Sequence, residues 1–477
     1  MERTWAISGD GAGADLHLDL TGPGGVRASL IRALRDAVRT GRLAPGTRLP
    51  ASRTLAADLG LARNTVADAY GELVAEGWLT ARQGSGTRVA PRAEPGAPAR
   101  RSPVPRTRPR PVHDLRGGTA DVSAFPRAAW LSAARRALAA APAEAFGRVD
   151  ERGRAELRTA LADYLSRARG VRADPERIVV CAGFTQGLAL LSRVLRERGT
   201  RELGVEAYGL WFHHDALDRH GLRTTTLTVD ESGARVEELA DHEDLRAVLL
   251  TPAHQFPTGV PLHPDRRAAV VDWAVRTGGL ILEDDYDGEF RYDRHPVGCL
   301  QGLRPENVVY FGTASKSLAP GLRLAWMVLP EHLVGDVIAL KRAGEWSSGA
   351  LDQLTLAELI TSGAYDRHVR AMRLRYRRRR DQLVSVLAAH APHIRVTGIA
   401  AGLHAVLSLP EGTEQDTVRA AAWEGLALDG LSRFRRGVPA GAGPGPGPDG
   451  LVVGYATPPA HGFEGALAAL LRVLPAG

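Results

Sequence analysis

The sequence predicts an α/β protein in two parts: a small N-terminal helical domain ending in a β-hairpin, and a large body built on a mostly parallel sheet. Three observations predict it. Apolar strands alternate with helical stretches through the last three quarters of the chain. Two short helical segments split by a glycine turn, then a hairpin, occupy the first ninety residues. Between the two parts lies "APRAEPGAPARRSPVPRTRPRPV", with seven prolines, six arginines and a single acid. Such a stretch adds nothing to a core and reads as an extended basic spacer. The expected organisation is therefore a small helix-turn-helix-type domain over 15–90, a linker over 91–113 and the body over 114–477.

The bulk numbers narrow the class. A chain of 477 residues that is 44% hydrophobic and 24% charged can build two or three soluble domains. Two cysteines, Cys181 and Cys299, exclude a disulfide framework. No apolar segment marks a signal peptide, and no run reaches the roughly 18 apolar residues of a membrane helix. A cytoplasmic protein with no membrane partner is expected. The net charge of +7 is compatible with a nucleic-acid partner, and equally with an arginine bias. All but two of the 61 basic residues are arginine; the exceptions are Lys316 and Lys341. A lysine amine can lose its proton and attack a carbonyl, which arginine cannot do.

In the first part, "GGVRASLIRALRDAVRTGRL" spaces Leu30, Leu34 and Val38 by four, as on one helix face. Gly41 is expected to end that helix. "LPASRTLAADLG" starts a second, with Ser52 placed to cap it and Gly60 closing it. "LARNTVADAYGELVAEGWL" is the third, with Val66, Tyr70, Leu73 and Val74 on one face and Arg63, Asn64 and Thr65 at its start. "WLTAR" and "TRVA" flank the hairpin turn "QGSG". The pattern suits either a winged helix-turn-helix or a small helical interaction domain.

In the body, "IVVCAGFTQGLALLSRVL" reads as strand, glycine turn and helix, a turn type that offers backbone amides to an anion. "LRAVLLTPAHQFPTG" and "GGLILEDDYDGEFRY" are two more buried strands ending in polar turns. "NVVYFGTASKSLAPGLRLAWMVLP" is a fourth strand leading to Lys316, then a fifth. "PAGAGPGPGPDG" is a flexible loop. In such a sheet functional groups gather where the strands end. A pyridoxal ring needs an amine, a carboxylate for its nitrogen, a donor for its phenolic oxygen and an anion site for its phosphate. Lys316, Asp284, Tyr286 and the group Gly183, Thr313, Ser315 and Arg323 offer these in order. Singly, each has an ordinary reading as a cap or a surface charge; their ordered co-occurrence points to pyridoxal 5'-phosphate.

The strings also carry a resemblance. "LPASRTLAADLGLARNTVADAYGELVAEGWLTARQGSGTRV" resembles the winged helix-turn-helix of GntR-type bacterial transcriptional regulators. "TPAHQFPTG", "EDDYDGEFRY" and "GTASKSLAPGLRL" resemble the aminotransferase-like domain of the MocR-type subfamily, typified by a γ-aminobutyrate sensor. The resemblance implies a fold-type I, pyridoxal-phosphate-dependent aminotransferase-like body. It implies DNA contacts by Arg53, Arg63, Asn64, Thr65 and Gly84. Lys316 would form the cofactor's Schiff base, Asp284 hold the pyridine nitrogen and Tyr286 meet the ring hydroxyl. Gly183, Phe184, Thr313, Ser315 and Arg323 would hold the phosphate, and His254 and Gln255 would flank the ring. "RYRRRRDQL" would be a helix face at a subunit contact.

This chain departs from the family pattern at three places. Ala62 stands where a capping serine or threonine is usual. "VEAYGLWFHHDAL" puts Leu210 and His214 where a tyrosine and an arginine are usual. "GLVVGYATP" puts Val452 where aminotransferases keep a carboxylate-binding arginine. Arg433 and His214 are then the nearest groups for an effector. The expected function is a regulator that binds promoter DNA as a homodimer and senses an amine, an amino acid or pyridoxal phosphate. An active aminotransferase with a vestigial DNA-binding domain is the alternative. Lys316, Asp284 and Tyr286 together argue against a body that has lost its cofactor. No metal is expected.

Overall fold

In the computed structural model the chain forms two compact units, Met1–Arg108 and Pro109–Gly477. The structure describes residues 4–5, 18–20, 24–82, 86–91, 111–147, 150–292, 298–344, 348–436 and 447–477. Most of the expected linker and of the 439–450 loop, and Gly84, lie outside these described residues.

The N-terminal unit packs three helices over a hairpin. Helix α1 (Gly25–Arg39) buries Leu30, Leu34 and Val38. Helix α2 (Ser52–Leu59) ends on Gly60, whose φ of 65° is the left-handed cap that glycine adopts at least cost. Helix α3 (Arg63–Ala75) buries Val66, Tyr70 and Leu73 against α1 and α2. The Tyr70 hydroxyl donates to the Pro50 carbonyl at 3.0 Å, tying α3 to the turn before α2. Strands β1 (Leu79–Arg82) and β2 (Gly86–Val89) pair antiparallel. One expectation at the helix ends is corrected. Ser52 is the first helical residue, not the cap; Ala51 holds that place and offers no side-chain oxygen. Helix α1 ends at Arg39, with Thr40 as its cap and Gly41, at φ 79°, the left-handed residue that stops it.

The C-terminal unit is built on seven strands: β3 (Ile178–Cys181), β4 (Glu202–Glu206), β5 (Arg223–Leu227), β6 (Ala247–Leu250), β7 (Leu280–Asp284), β8 (Val308–Thr313) and β9 (Ala325–Val328). Their order is β3-β9-β8-β7-β6-β4-β5. All run parallel except β9, which is antiparallel to both neighbours. Strands β3, β6 and β8 are buried on both faces, which explains their unbroken apolar runs, whereas the edge strand β5 is polar and partly exposed. On one face Val180, Tyr310 and Trp326 pack against α4 (Arg127–Ala140), α5 (Ala155–Arg169) and α10 (Ala350–Thr361). On the other, Val179, Phe311 and Met327 meet α6 (Phe184–Glu197) and α9 (Glu331–Ala343). Between them in sequence lie α7 (Trp211–Arg219) and α8 (Pro264–Thr277).

Helix α11 (Ala364–His390) carries the arginine run into a smaller C-terminal lobe. Its Arg379 points inward, 3.1 Å from the Asp121 carboxylate, while Arg377 and Arg378 are exposed. The lobe's sheet has the order β10 (Arg395–Thr397), β11 (Ala405–Ser408), β13 (Gly450–Val453), β12 (Asp429–Gly430). Among the described residues no helix is long and apolar enough to cross a membrane.

Candidate functional site

The parallel strands β3, β4, β6, β7 and β8 end at one edge of the sheet, and their following turns enclose a cavity of about 260 Å3. The β8 turn contributes Thr313, Ser315 and Lys316. Lys316 is half-buried and its Nζ donates to the Gly118 carbonyl. Burial lowers its pKa below the ordinary lysine range, against the raising pull of Asp284 and Asp287. The end of β7 contributes Asp284 and Tyr286, each 8% exposed. Burial pushes the Asp284 carboxyl well up, with Lys316 the cation opposing the shift. A buried carboxylate in this condition is a seat for a cation, because a paired positive charge removes its penalty.

The anion end lies at the N-terminus of α6. Gly183 has φ 105°, and a Cβ there would come within 2.9 Å of the Arg323 guanidinium. Only glycine satisfies both the conformation and the close approach. Arg323 itself holds φ 52°, rare for a side-chain-bearing residue, and is thereby aimed at the α6 amides. Thr313 Oγ1 lies 2.9 Å from Ser315 Oγ and accepts from the Ser315 amide at 3.1 Å. Backbone amides at a helix start, a guanidinium and two hydroxyls form a cradle for a phosphate. An amine, a cation seat and an anion cradle in one cavity fit pyridoxal phosphate.

The rest of the wall is aromatic. Phe184 packs against His213, with ring centroids 4.5 Å apart and planes tilted by 42°, and Phe212 and Phe256 close the sides. Burial holds His213 down to about 3, helped by His214 and Lys316. Burial also holds His214 down to about 4, helped by Arg436. Both rings are neutral at physiological pH. Lys316 and Arg323 are the other basic residues among the described lining residues. Glu206 closes the floor and accepts from the Thr251 amide and hydroxyl; burial raises it to about 7.

Several expected residues stand elsewhere. His254 and Gln255 do not line the cavity. His254 lies behind Tyr286, with Nδ1 3.1 Å from its hydroxyl. Gln255 staples the turn, donating to the Tyr208 and Phe256 carbonyls at 3.0 and 2.7 Å and accepting from Thr258. The next residue, Phe256, is the one that faces inward. Arg433 is also outside: it reaches Asp429 at 2.8 Å and its side chain is 58% exposed. Val452 is fully buried behind Phe256 and Tyr286. Leu210 and His214 do line the cavity.

The sequence reading passed over Arg169. It grips Asp285 through Nε and Nη2 at 2.7 and 2.8 Å, and Tyr310 donates to the same carboxylate at 2.7 Å. This buried triad fixes the turn that carries Asp284 and Tyr286. One arginine among so many carried no separate signal.

In the N-terminal unit, Arg53, Arg63 and Asn64 are exposed at the starts of α2 and α3, and Thr65 is half-buried. Ala62 gives α3 no side-chain cap. Arg88 in the hairpin and Arg48, which pairs with it through an isolated antiparallel backbone bridge, are exposed, and Arg88 donates to the Gly46 carbonyl at 3.0 Å.

Fold and site together define a class: a winged helix-turn-helix joined to an aminotransferase-fold body. Residues 27–89 match the gntR family of bacterial regulatory proteins, and residues 117–435 match aminotransferase class I and II. The chain is 34% identical to the HTH-type pyridoxine biosynthesis transcriptional regulator PdxR of Corynebacterium glutamicum, over 90% of this chain and 94% of that protein. It is 32% identical to the "Probable rhizopine catabolism regulatory protein MocR" of Rhizobium meliloti, over 85% and 86%. Among solved structures, an archaeal alanine:glyoxylate aminotransferase superposes with a TM-score of 0.67 at 23% identity, covering 76% of this chain and 90% of that one. That likeness is one of fold. The chain belongs to the MocR-type branch of the GntR family of transcriptional regulators.

Proposed function

We propose that this chain is a pyridoxal-phosphate-dependent, DNA-binding transcriptional regulator of the cytoplasm. Its body would sense an amine, an amino acid or pyridoxal phosphate itself, and it would act as a homodimer. The carrying observation is the single cavity that sets the Lys316 amine and the buried Asp284 carboxylate opposite the cradle of Gly183, Ser315 and Arg323. When bound, pyridoxal phosphate supplies an aldehyde that condenses reversibly with amines and a ring that withdraws electrons.

Each residue then has a task. Lys316 supplies the anchoring amine, and its lowered pKa raises the fraction free to attack. Asp284 holds a proton on the ring nitrogen, a pairing that its burial makes favourable. Tyr286 donates to the ring oxygen. Arg323, Ser315, Thr313 and the first amides of α6, from Phe184 on, bind the phosphate. The aromatic wall of Phe184, Phe212 and Phe256 excludes water from the far side. In the N-terminal unit, Arg63, Asn64 and Thr65 would read bases, with Arg53 and the hairpin, Gly84 included, on the backbone. A ligand that competes for Lys316 would bias two states of the body that differ in DNA affinity.

An α-amino acid needs a cation for its carboxylate as well as an amine, and bidentate arginine is the usual partner. His214, the lining residue at one expected arginine position, is neutral, and Val452 is buried behind the wall. Common α-amino acids and γ-aminobutyrate are therefore proposed to bind poorly, with turnover slow and pyridoxal phosphate or an unusual amine as the signal. The test of the cofactor site is a peptide map of the borohydride-reduced protein. The pyridoxyl group is expected on Lys316; finding it on any other residue overturns the assignment. Mixing the loaded protein with a panel of amino acids and 2-oxo acids separates sensor from enzyme. Rapid, complete conversion to pyridoxamine phosphate by a common amino acid would favour the aminotransferase instead.

A further inference from the structure

We propose that the buried His254–Asp287 pair is a positioning device that fixes the direction in which the Tyr286 hydroxyl donates, an inference that rests on the pyridoxal phosphate reading above. His254 and Asp287 are each 2% exposed, and neither lines the cavity. His254 Nδ1 lies 2.8 Å from Asp287 Oδ2 and 3.1 Å from the Tyr286 oxygen. A carboxylate only accepts hydrogen bonds, so the imidazole facing Asp287 carries its proton on Nδ1. The Tyr286 oxygen then meets an N–H, from which it can only accept. Its own proton then has two acceptors in reach, the Asp287 carboxylate and, once a cofactor is bound, the ring oxygen in the cavity that Tyr286 lines. With a bare Nδ1 the same proton would be drawn back onto the histidine and lost to a bound ring oxygen.

The surroundings hold this arrangement in place. Gly402, at φ 73°, presses on the pair: a Cβ there would collide with the His254 ring and lie 2.5 Å from Asp287 Oδ2. Phe256 sets its ring edge-on against Tyr286 at 5.9 Å and against His404 at 5.0 Å. His404 donates from Nε2 to the Pro257 carbonyl at 3.0 Å, which leaves its buried Nδ1 bare and unpartnered. Donor atoms of His254, Asp287 and His404 all lie within 4.8 Å of one another, a spacing that a divalent metal could also use. The 2.8 Å contact between His254 and Asp287 is instead that of a direct hydrogen bond. The other titratable groups around Tyr286 are Asp284 from its own strand end, Glu206 from β4 and Lys316 from the β8 turn. Burial and the carboxylates of Asp287 and Asp284 keep the Tyr286 hydroxyl protonated.

The experiment is a pH titration of the visible absorption of the full chain loaded with pyridoxal phosphate. An anionic ring oxygen that loses a donor holds the neighbouring proton more tightly, so the colour change moves to higher pH. Tyr286→Phe is expected to move it up by about one pH unit. His254→Leu should move it the same way. His254→Asn, whose amide nitrogen stands near the place of Nδ1, should restore most of the wild-type value. Adding His254→Leu to Tyr286→Phe should move it no further, because the histidine acts only through the tyrosine. A transition in His254→Leu at the wild-type pH, or a shift that adds in full to that of Tyr286→Phe, would overturn the proposal. So would a stoichiometric divalent metal that is lost from His254→Leu and His404→Ala. Should His254→Leu not fold, Asp287→Asn takes its place in the cycle, read by the same non-additivity. A wild-type chain that takes up no cofactor overturns this proposal and the reading beneath it together, whereas a coloured wild type with an unmoved His254→Leu overturns this proposal alone.

Discussion

Each of the two lysines of this arginine-rich chain is turned inward onto a carbonyl of its own. Lys316 donates to Gly118 and Lys341 to the Val180 carbonyl at 2.6 Å. Arginine carries five donors in a fixed fork, and a buried site with one acceptor would leave most of them unsatisfied. Burial alone therefore accounts for lysine at 341, and burial with an available amine for lysine at 316. Lys316→Ala is expected to abolish the yellow colour of the loaded protein; Lys341→Met, which keeps the stem and drops the charge, should retain it. Loss of colour in Lys341→Met at wild-type thermal stability would contradict this division of roles. The linear motifs around Lys316, Asp284, Tyr286 and Arg323 were legible because each sits in a short turn at a strand end. Which way alternate turn residues face was not. "HQF" gave no sign that Phe256 looks inward while His254 and Gln255 look back, because tertiary packing decides it.

At the scale of the element, two strand ends are held by buried polar groups. The β7 end depends on the Arg169–Asp285–Tyr310 triad. Arg169→Met leaves Asp285 uncompensated, which should destabilise the body by roughly 3–5 kcal/mol; a denaturation midpoint like that of wild type would rule out this role. The β4 end depends on Glu206. Its folded pKa of about 7 stands above the ordinary 4.5, so the folded state binds the extra proton between those values. Stability from this group is full below about 4.5 and is lost as pH rises towards about 7. Glu206→Gln should therefore gain on wild type over that window, by up to about 1.4 kcal/mol per pH unit. A gap between the two melting curves that stays constant from pH 5 to 7 would contradict it. In α3, Arg63→Ala should weaken operator binding by roughly 1–3 kcal/mol and relax one base preference. Unchanged binding by a folded variant would show that the recognition helix is misassigned. The helix itself was legible from its apolar spacing. The one-residue error at Ser52 arose because a serine satisfies the sequence pattern of a cap and of a first turn alike.

At the scale of the molecule, the body presents several exposed apolar side chains on and beside α4. Leu131 and Leu138 lie on α4, Phe146 follows it, and Leu351 lies on α10, which packs against α4. These side chains support the proposed homodimer. Leu138→Glu is expected to lower the mass measured by light scattering from dimer towards monomer; an unchanged mass would place the contact elsewhere. The alternation of strand and helix made the body legible, as the glycine turn and hairpin did the N-terminal unit. The inner wall was not legible, because Phe212 and His213 are brought to it only by the packing of α7.

The central claim is that cofactor chemistry in the body governs DNA binding by the N-terminal unit. It is tested most directly by a fluorescence-anisotropy titration of genomic promoter DNA retained by the protein, using wild type and Lys316→Ala with and without pyridoxal phosphate. Pyridoxal phosphate should shift the Kd of wild type several-fold and leave that of Lys316→Ala unmoved. Equal shifts in both proteins, or none in a wild type shown by its colour to be loaded, would contradict the account.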